Sequence, residues 1–439
     1  MSIKALLSKN SIPYIPLKNK EALILIYFLF FILGISNSNG YNFYNEHRII
    51  EVILLLIFGL WAVVRGQYHV SNVELLFFAF IGMGSLFWQQ PLFIVTDLLL
   101  AYLLFKSFQV LTYNRLVAQI FVLSSLVLFL LLPVALLDYV NSGVYFPDWY
   151  PLPWNIRVYN SYFLIVSIFA TWLYITEQRY RIYYLLFLFL AFFAILLDSG
   201  RSAALAYTLF IAVIALFHRA VRWPLLATYA GSFLAYMAVT YWVAVNVASS
   251  TAAGLQIART TTSLRYDLWV HALECWAQNP IMGCGFYQLG RYEQFGAHPH
   301  NLFIQVLSET GIIGFGVLVY IMVVIAKRIN WNQKYRYFII AAFLAIGIEL
   351  SLSGVYIYPI TQIALLWLLI FLIKNTQFIY TKNVNYNAQQ TKPLNYIISM
   401  IVYIAIALYF LYLFSHTTAF SIDAPVTPPR FWIYGYKLF

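Results

Sequence analysis

The sequence consists of long apolar runs separated by short polar or aromatic stretches. A helix that crosses a membrane needs about 20 predominantly apolar residues, and runs of this kind recur along the chain. They lie near residues 21–37, 49–65, 72–88, 91–111, 115–139, 158–176, 181–198, 202–218, 223–246, 302–326, 337–354, 357–374 and 395–415. The pattern predicts an all-α, polytopic integral membrane protein with about 12–13 transmembrane helices.

The amino-acid composition narrows the class of protein further. Of the 439 residues, 63% are hydrophobic and 9% are charged, which excludes a soluble domain and a disordered chain. The two cysteines exclude a disulfide-rich scaffold and a cysteine-rich zinc module. We find no phosphate-binding glycine loop, no dinucleotide-binding pattern and no nucleophile elbow. The sequence therefore predicts neither an ATP-driven protein nor a serine hydrolase.

The net charge of +11 is explained by membrane topology. With the N-terminus placed in the cytoplasm, the inward loops hold 18 of the 26 basic residues, as the positive-inside rule requires. A nucleic-acid partner is therefore not needed to explain the charge. The first run lacks a small-residue cleavage site, so we interpret it as an uncleaved anchor.

The runs and loops divide the chain into six segments. They are N-terminal transmembrane helices (1–139), a short outer loop (140–157), central transmembrane helices (158–246), a large outer loop (247–301), C-terminal transmembrane helices (302–415) and an outer tail (416–439). Within the large loop, apolar spacing predicts a helix over 263–277 that Asn279-Pro280 stops. Since the one large polar element lies outside, we expect the protein to work outside.

Seven of the eight outward basic residues are arginines. Three of them, Arg157, Arg201 and Arg265, stand at span junctions or at the start of the loop helix. A charge at the edge of a membrane span is costly unless it is paired or solvated by water, and arginine is suited to phosphate contact. The alternatives are lipid headgroup contacts, a salt bridge from Arg201 to Asp198, and a surface pair between Arg265 and Asp267.

The large loop ends in His298-Pro299-His300-Asn301, directly before a span with an unusual polar face. Asn301, Gln305 and Glu309 recur at helical spacing, with Ser308 beside them, so we expect this face to point into the bundle. His300 is the candidate proton acceptor near neutral pH, and a structural histidine at a helix start is the alternative.

Other residues near this face leave alternatives open. Glu309 either orients His300 or lies in a polar helix interface. The two histidines lack the further ligands that a metal site needs. We expect Gly311, Gly314 and Gly316 to let a neighbouring helix approach closely. Two cysteines of the large loop, Cys275 and Cys284, either form a disulfide or stay free.

Three blocks of residues, in order, resemble the bacterial O-antigen ligase superfamily. The first is Ser199-Gly200-Arg201-Ser202 at a span junction. The second runs from Arg265 through Trp269 to Asn279-Pro280-Ile281-Met282-Gly283-Cys284-Gly285. The third is His300-Asn301-Leu302 followed by Glu309-Thr310-Gly311-Ile312-Ile313-Gly314. The resemblance covers roughly residues 155–375.

The resemblance implies an enzyme that transfers a glycan from an undecaprenyl-diphosphate carrier to an acceptor hydroxyl at the periplasmic face of the inner membrane. The acceptor is lipid A-core or a protein such as pilin, and no metal or other cofactor is expected. By the same resemblance, His300 and Glu309 are the catalytic candidates. Candidate contacts to the diphosphate and glycan are Arg201, Arg265, Arg157, Asn160, Asn301 and Tyr358.

Two departures weaken any choice of acceptor. Asn155-Ile156-Arg157-Val158-Tyr159-Asn160 resembles a stretch of the pilin-glycosylating branch, but Phe163 stands where that branch has a glutamine. Ile357-Tyr358-Pro359 stands where many members have Glu-Tyr-Pro. An O-antigen polymerase of the same superfamily is therefore an alternative. From a different class, a lipid-linked sugar transporter is the rival, although no matching halves are found in the sequence.

Overall fold

The computed structural model describes residues 19–36, 43–64, 70–147, 149–151, 156–247, 265–286, 298–375, 377–378, 393–416 and 430–432. Within these ranges the chain forms helices and no β-strand, which confirms the all-α prediction. In chain order the helices are α1 (Asn19–Ile32), α2 (Phe43–Val64), α3 (Asn72–Gly84), α4 (Pro91–Val110), α5 (Arg115–Ser124), α6 (Leu132–Ser142), α7 (Ile156–Thr176), α8 (Arg181–Leu197), α9 (Arg201–Phe217), α10 (Arg222–Asn246), α11 (Arg265–Gln278), α12 (Leu302–Arg328), α13 (Arg336–Leu352), α14 (Pro359–Lys374) and α15 (Pro393–His416).

Each apolar run of the sequence contains helix. The run at 115–139 becomes α5, a short 3-10 turn over Ser125–Phe129, and α6. By length and composition, six spans of the described chain can cross a membrane, and a seventh if α9 and α10, bent by 114° at their junction, count as one. Several other apolar helices are shorter than about 20 residues. These findings agree with a polytopic membrane protein.

The helix α7 forms the centre of the bundle. Its spanning part is 94% buried, whereas that of α12 is 17% buried. Small polar side chains, among them Ser161, Ser167 and Thr171, are wholly buried along α7, where they let neighbouring helices approach. α7 packs against α8, α14 and α5, and α9 packs chiefly against α13. Of the candidate spans in the described chain, α7 is the most buried.

The peripheral helix α12 is broken at Gly311, whose φ of 65° is not helical. A stretch of the large loop, residues 280–286, takes over the hydrogen bonds that the break removes. Cys284 N donates to Ser308 O (2.9 Å) and Gly285 N to Glu309 O (3.1 Å). In return, Ile312 N donates to Pro280 O (3.0 Å). We call residues 280–286 the splice segment, because it satisfies main-chain groups that would otherwise be buried and unpaired.

Two glycines of the splice segment are required by this contact. Gly283 and Gly285 have φ of 79° and 80°, which side chains with a Cβ rarely adopt. A Cβ at Gly283 would lie 2.5 Å from Gly311 N, and one at Gly285 would lie 2.5 Å from Gln89 N.

The structure corrects the expectation that the glycines of α12 let a neighbouring helix approach closely. At Gly311 the close neighbour is loop backbone, and at Gly316 no atom lies within 4 Å.

The helix predicted over 263–277 is found as α11, and it ends at Gln278, directly before Asn279-Pro280. Residues 263 and 264 lie outside the described residues. Cys275 of α11 and Cys284 of the splice segment form a disulfide. The alternative of free thiols is therefore wrong. The disulfide ties the loop helix to the segment that repairs α12.

Gly283→Ala tests the splice. The added Cβ meets main-chain atoms that cannot rotate away and sits at an unfavourable φ, so we expect destabilisation by about 2 kcal/mol or more. The thermal midpoint of the purified protein in detergent reports it. Gly316→Ala is the matched control, since open space surrounds that Cβ and alanine favours the helix. Equal midpoints for the two variants would contradict the role given to the splice segment.

Candidate functional site

The candidate residues stand at the N-terminal ends of five helices. Arg157 lies in the first turn of α7, and Arg201 and Arg265 are the first residues of α9 and α11. His300 precedes α12 by two residues, and Tyr358 is the N-cap of α14. Helix N-termini carry unpaired N–H groups and partial positive charge, so five of them together with three arginines make a site for an anion.

Electrostatic interaction indicates that three of these ends lie near one another. Burial, followed by the charges of Arg157 and Arg201, lowers the pKa of Arg265. Positive charge is therefore concentrated around Arg265, and such a region favours an anion. Arg265 forms no ion pair with Asp267 in the described structure, so the surface-pair alternative is wrong.

His300 is held in an uncommon conformation beside these arginines. Its φ is 53°, and its backbone N–H donates to Nδ1 of His298 (3.2 Å), with the two rings 4.1 Å apart. Burial, then the charges of Arg157 and Arg265, lower the pKa of His300 to about 3. The imidazole is therefore neutral near pH 7. Its Nδ1 is buried without a hydrogen-bond partner among the described residues.

Asn160 of α7 is a buried polar side chain without hydrogen-bond partners. It is 2% exposed, and both polar atoms of its amide lack a partner in the described part of the chain. The Asn160 side chain lies against Gly200, where an added Cβ would be 2.6 Å from Asn160 Nδ2. Buried amides are normally satisfied, so a ligand is the natural partner of Asn160.

Glu349 of α13 belongs to this region, and sequence reasoning missed it. Its Oε1 accepts from Ser161 Oγ (2.5 Å), its Oε2 is unpartnered among the described residues, and its charge acts on Arg265. An acidic residue inside an apolar run was the available signal. Glu349 is therefore a buried acidic side chain next to the arginine site.

Asn301 and Tyr358 have structural contacts that limit their roles. Asn301 Oδ1 accepts from Phe303 N (3.0 Å) and Ile304 N (3.1 Å), so it caps α12, and only its amide nitrogen is left for a ligand. Tyr358 is buried, its ring lies near Gly354, and the charge of Arg157 acts on it. Both residues thus border the site.

The polar face of α12 is buried, as expected: Asn301, Gln305, Ser308 and Glu309 are each at most 8% exposed. Glu309 does not bond His300 in the described structure. Its two oxygens accept from Nη1 and Nη2 of Arg430 (2.7 Å each). This geometry matches the second alternative, a polar helix interface. Sequence reasoning missed Arg430 as a partner, because 121 residues separate the pair and no local pattern links them.

The short outer loop is tied to the Arg201 turn through Asp198. The Asp198 carboxylate accepts from the hydroxyls of Tyr145 (2.7 Å) and Tyr150. Trp149 in turn donates to the Tyr145 hydroxyl (2.8 Å). This loop therefore covers the start of α9 with aromatic side chains.

The described residues contain no group of three His, Cys, Asp or Glu side chains that could hold a metal ion. The expectation of metal-free chemistry stays a prediction.

The fold and site define a helical membrane protein with a basic, histidine-containing site at converging helix N-termini. A family model described as O-antigen ligase matches residues 185–319, which include Arg201, Arg265, His300 and Glu309. The matched region is less than half of the chain and contains all three sequence blocks, so over this region the chain is similar to the O-antigen ligase family. No curated protein sequence matches the chain.

Proposed function

We propose that the protein transfers a glycan from an undecaprenyl-diphosphate carrier to an acceptor hydroxyl, at the periplasmic face of the bacterial inner membrane. The acceptor is lipid A-core or a protein such as pilin. No metal or nucleotide takes part, and the anomeric configuration is inverted. The observation that carries the proposal is the meeting of three arginines and a neutral histidine at five helix N-termini.

The arginines fit the donor. A lipid diphosphate is a good leaving group, and its departure concentrates negative charge on the diphosphate oxygens. Arg157, Arg201 and Arg265 would neutralise that charge, and the charges of Arg157 and Arg201 already act on Arg265. The unpartnered amide of Asn160 is available to the glycan or the diphosphate.

His300 fits the acceptor. In the proposed step the acceptor oxygen forms a bond to the anomeric carbon while the bond from that carbon to the diphosphate oxygen breaks. The electron pair leaves with the diphosphate, and the hydroxyl proton passes to a ring nitrogen of His300. Burial, followed by the charges of Arg157 and Arg265, keeps the pKa of His300 low and the imidazole neutral before the donor binds. Once bound, the diphosphate offsets their charge and makes the imidazolium easier to form.

Two alternatives remain to be separated. An O-antigen polymerase would use the same site with a growing glycan as acceptor. A transporter of lipid-linked sugars would bind the diphosphate without transfer. The sequence shows no matching halves of the kind that many transporters have, and this favours transfer.

The first experiment offers the purified protein an undecaprenyl-diphosphate glycan and three acceptors in turn: lipid A-core, pilin and the glycan itself. EDTA is present and ATP is omitted. We expect product on one of the first two acceptors, and we expect His300→Ala to reduce it at least about a thousandfold because proton transfer and positioning are both lost. Membrane insertion of the variant, measured by fractionation, is the control.

Other results would redirect the proposal. Product only on the glycan would identify the polymerase alternative. Movement of the donor across a vesicle bilayer without any product would identify the transporter alternative. Near-wild-type transfer by His300→Ala would remove His300 from the mechanism.

The pH dependence of transfer tests the charge state of His300. Its pKa in the free protein is lowered to about 3, so the neutral base persists as the pH falls from 8 to 5. We expect kcat/KM for the donor, which reports the free enzyme, to show no inflection near pH 6.5. The acid limb of kcat should lie at higher pH than that of kcat/KM, because the bound diphosphate offsets the arginines. An inflection of kcat/KM near pH 6.5 would contradict this assignment.

Arg265→Lys tests the diphosphate contact. Lysine keeps the charge but replaces a planar fork by a point charge, so we expect kcat/KM for the donor to fall about 10- to 100-fold. Arg336→Lys is the matched control, since Arg336 is an exposed arginine at the start of α13. Equal donor kinetics for the two variants would show that the fork of Arg265 does not hold the diphosphate.

A further inference from the structure

A three-residue part of the C-terminal tail, Arg430-Phe431-Trp432, packs inside the bundle. Arg430 is 2% exposed. The Tyr44 hydroxyl donates to Arg430 O (2.7 Å), and Nε of the buried Arg48 donates to Phe431 O (2.9 Å). Two residues of α2 therefore fix the main-chain carbonyls of Arg430 and of the residue that follows it.

The guanidinium of Arg430 joins three distant parts of the chain. It holds both oxygens of Glu309 on α12 at 2.7 Å. It also holds Asp97 of α4, with Nε 2.8 Å and Nη2 2.7 Å from Oδ2. Its central carbon lies 5.2 Å from the ring centre of Phe286, at the end of the splice segment. A planar fork suits this set of contacts better than an ammonium group.

Glu309 lies two residues before the break of α12, and both its main chain and its side chain are bound by other segments. Its carbonyl accepts from Gly285 of the splice segment, two residues before Gly311. Its side chain is held by Arg430. Main chain and side chain of one residue are thus fixed by two separate segments, the large loop and the C-terminal tail.

A continuous series of contacts leads from this pair to His300. Gln305, one turn before Glu309, hydrogen-bonds the Tyr356 hydroxyl at 2.8 Å in either orientation of its amide. Its other amide atom contacts Glu309 in one orientation and Arg430 in the other. The Tyr356 ring lies 6.3 Å from that of His298, whose Nδ1 accepts the backbone N–H of His300.

We infer that Arg430 is a positioning residue for His300, acting through Glu309 and the first turns of α12. The inference rests on the proposed transfer reaction. In that reaction, Glu309 takes no proton, because both of its carboxylate oxygens already accept hydrogen bonds from Arg430. The bidentate pair sets the position of the helix whose N-terminal end carries the catalytic imidazole, and displacement of a catalytic group by about 1 Å is enough to lower the rate strongly.

The charges around Arg430 predict an asymmetry between its variants. Glu309→Gln leaves Arg430 paired with Asp97 and keeps an amide oxygen in place of one carboxylate oxygen. Arg430→Lys keeps the charge but cannot span Glu309 and Asp97 with one planar group. Arg430→Gln leaves two carboxylates facing one another without a cation, which is the costliest change.

The experiment measures kcat and donor KM for wild type, Glu309→Gln, Arg430→Lys and Arg430→Gln, with the exposed Arg336→Gln as the matched control. We expect both Arg430 variants to lose kcat about tenfold or more with little change in donor KM, because the arginines that face the donor are untouched. We expect Glu309→Gln to keep a larger fraction of kcat than either. Folding is checked by the thermal midpoint in detergent.

A lower kcat for Glu309→Gln than for Arg430→Lys would overturn the inference and make Glu309 a direct participant. Wild-type kcat in Arg430→Lys would also overturn it. Should the single Arg430 variants not fold, Glu309→Gln/Arg430→Gln, which replaces the ion pair by two amides, is compared with Glu309→Gln. A further fall of about tenfold supports the inference, and equality overturns it. Absence of transfer by the wild type would instead reject the proposed function.

Discussion

A helix that breaks inside an apolar bundle must find new partners for its main-chain polar groups, and this constraint organises the site. At Gly311 the ladder of α12 is interrupted, and the splice segment supplies two donors and accepts two in return. Gly283 lets the splice segment approach the backbone at the break, and Gly285 lets it approach the backbone of Gln89. The disulfide from Cys275 then links the repaired helix to α11, which begins at the site arginine Arg265.

The electrostatic design follows from the same geometry. Arg265 is partly desolvated, and the charges of Arg157 and Arg201 act on it at neighbouring helix N-termini. Burial, followed by the charges of Arg157 and Arg265, lowers the pKa of His300 and keeps its imidazole neutral. In the proposed function, a bound diphosphate offsets the positive charge of the arginines. Donor binding and activation of the base then follow from one charge distribution.

Buried charges elsewhere in the protein hold the architecture together. The C-terminal tail is fixed by Arg48 and Tyr44 and delivers Arg430 to Glu309 and Asp97. Removing one partner of such a cluster leaves an uncompensated charge, whereas the complete cluster is satisfied. The tail therefore belongs to the folded bundle at the described residues, although it follows the last apolar run.

The sequence alone determined the features that depend on local pattern. Apolar runs predicted the helices, the Asn279-Pro280 step predicted the end of α11, and helical spacing predicted the buried face of α12. The three sequence blocks indicated the candidate residues and a resemblance to the family whose model matches residues 185–319. Only the tertiary structure decided which of these residues touch. Periodicity carries no information on the pairing of Glu309 with Arg430, or of Gly283 with the break at Gly311, because such pairings are set by which polar groups are buried together after the helices pack.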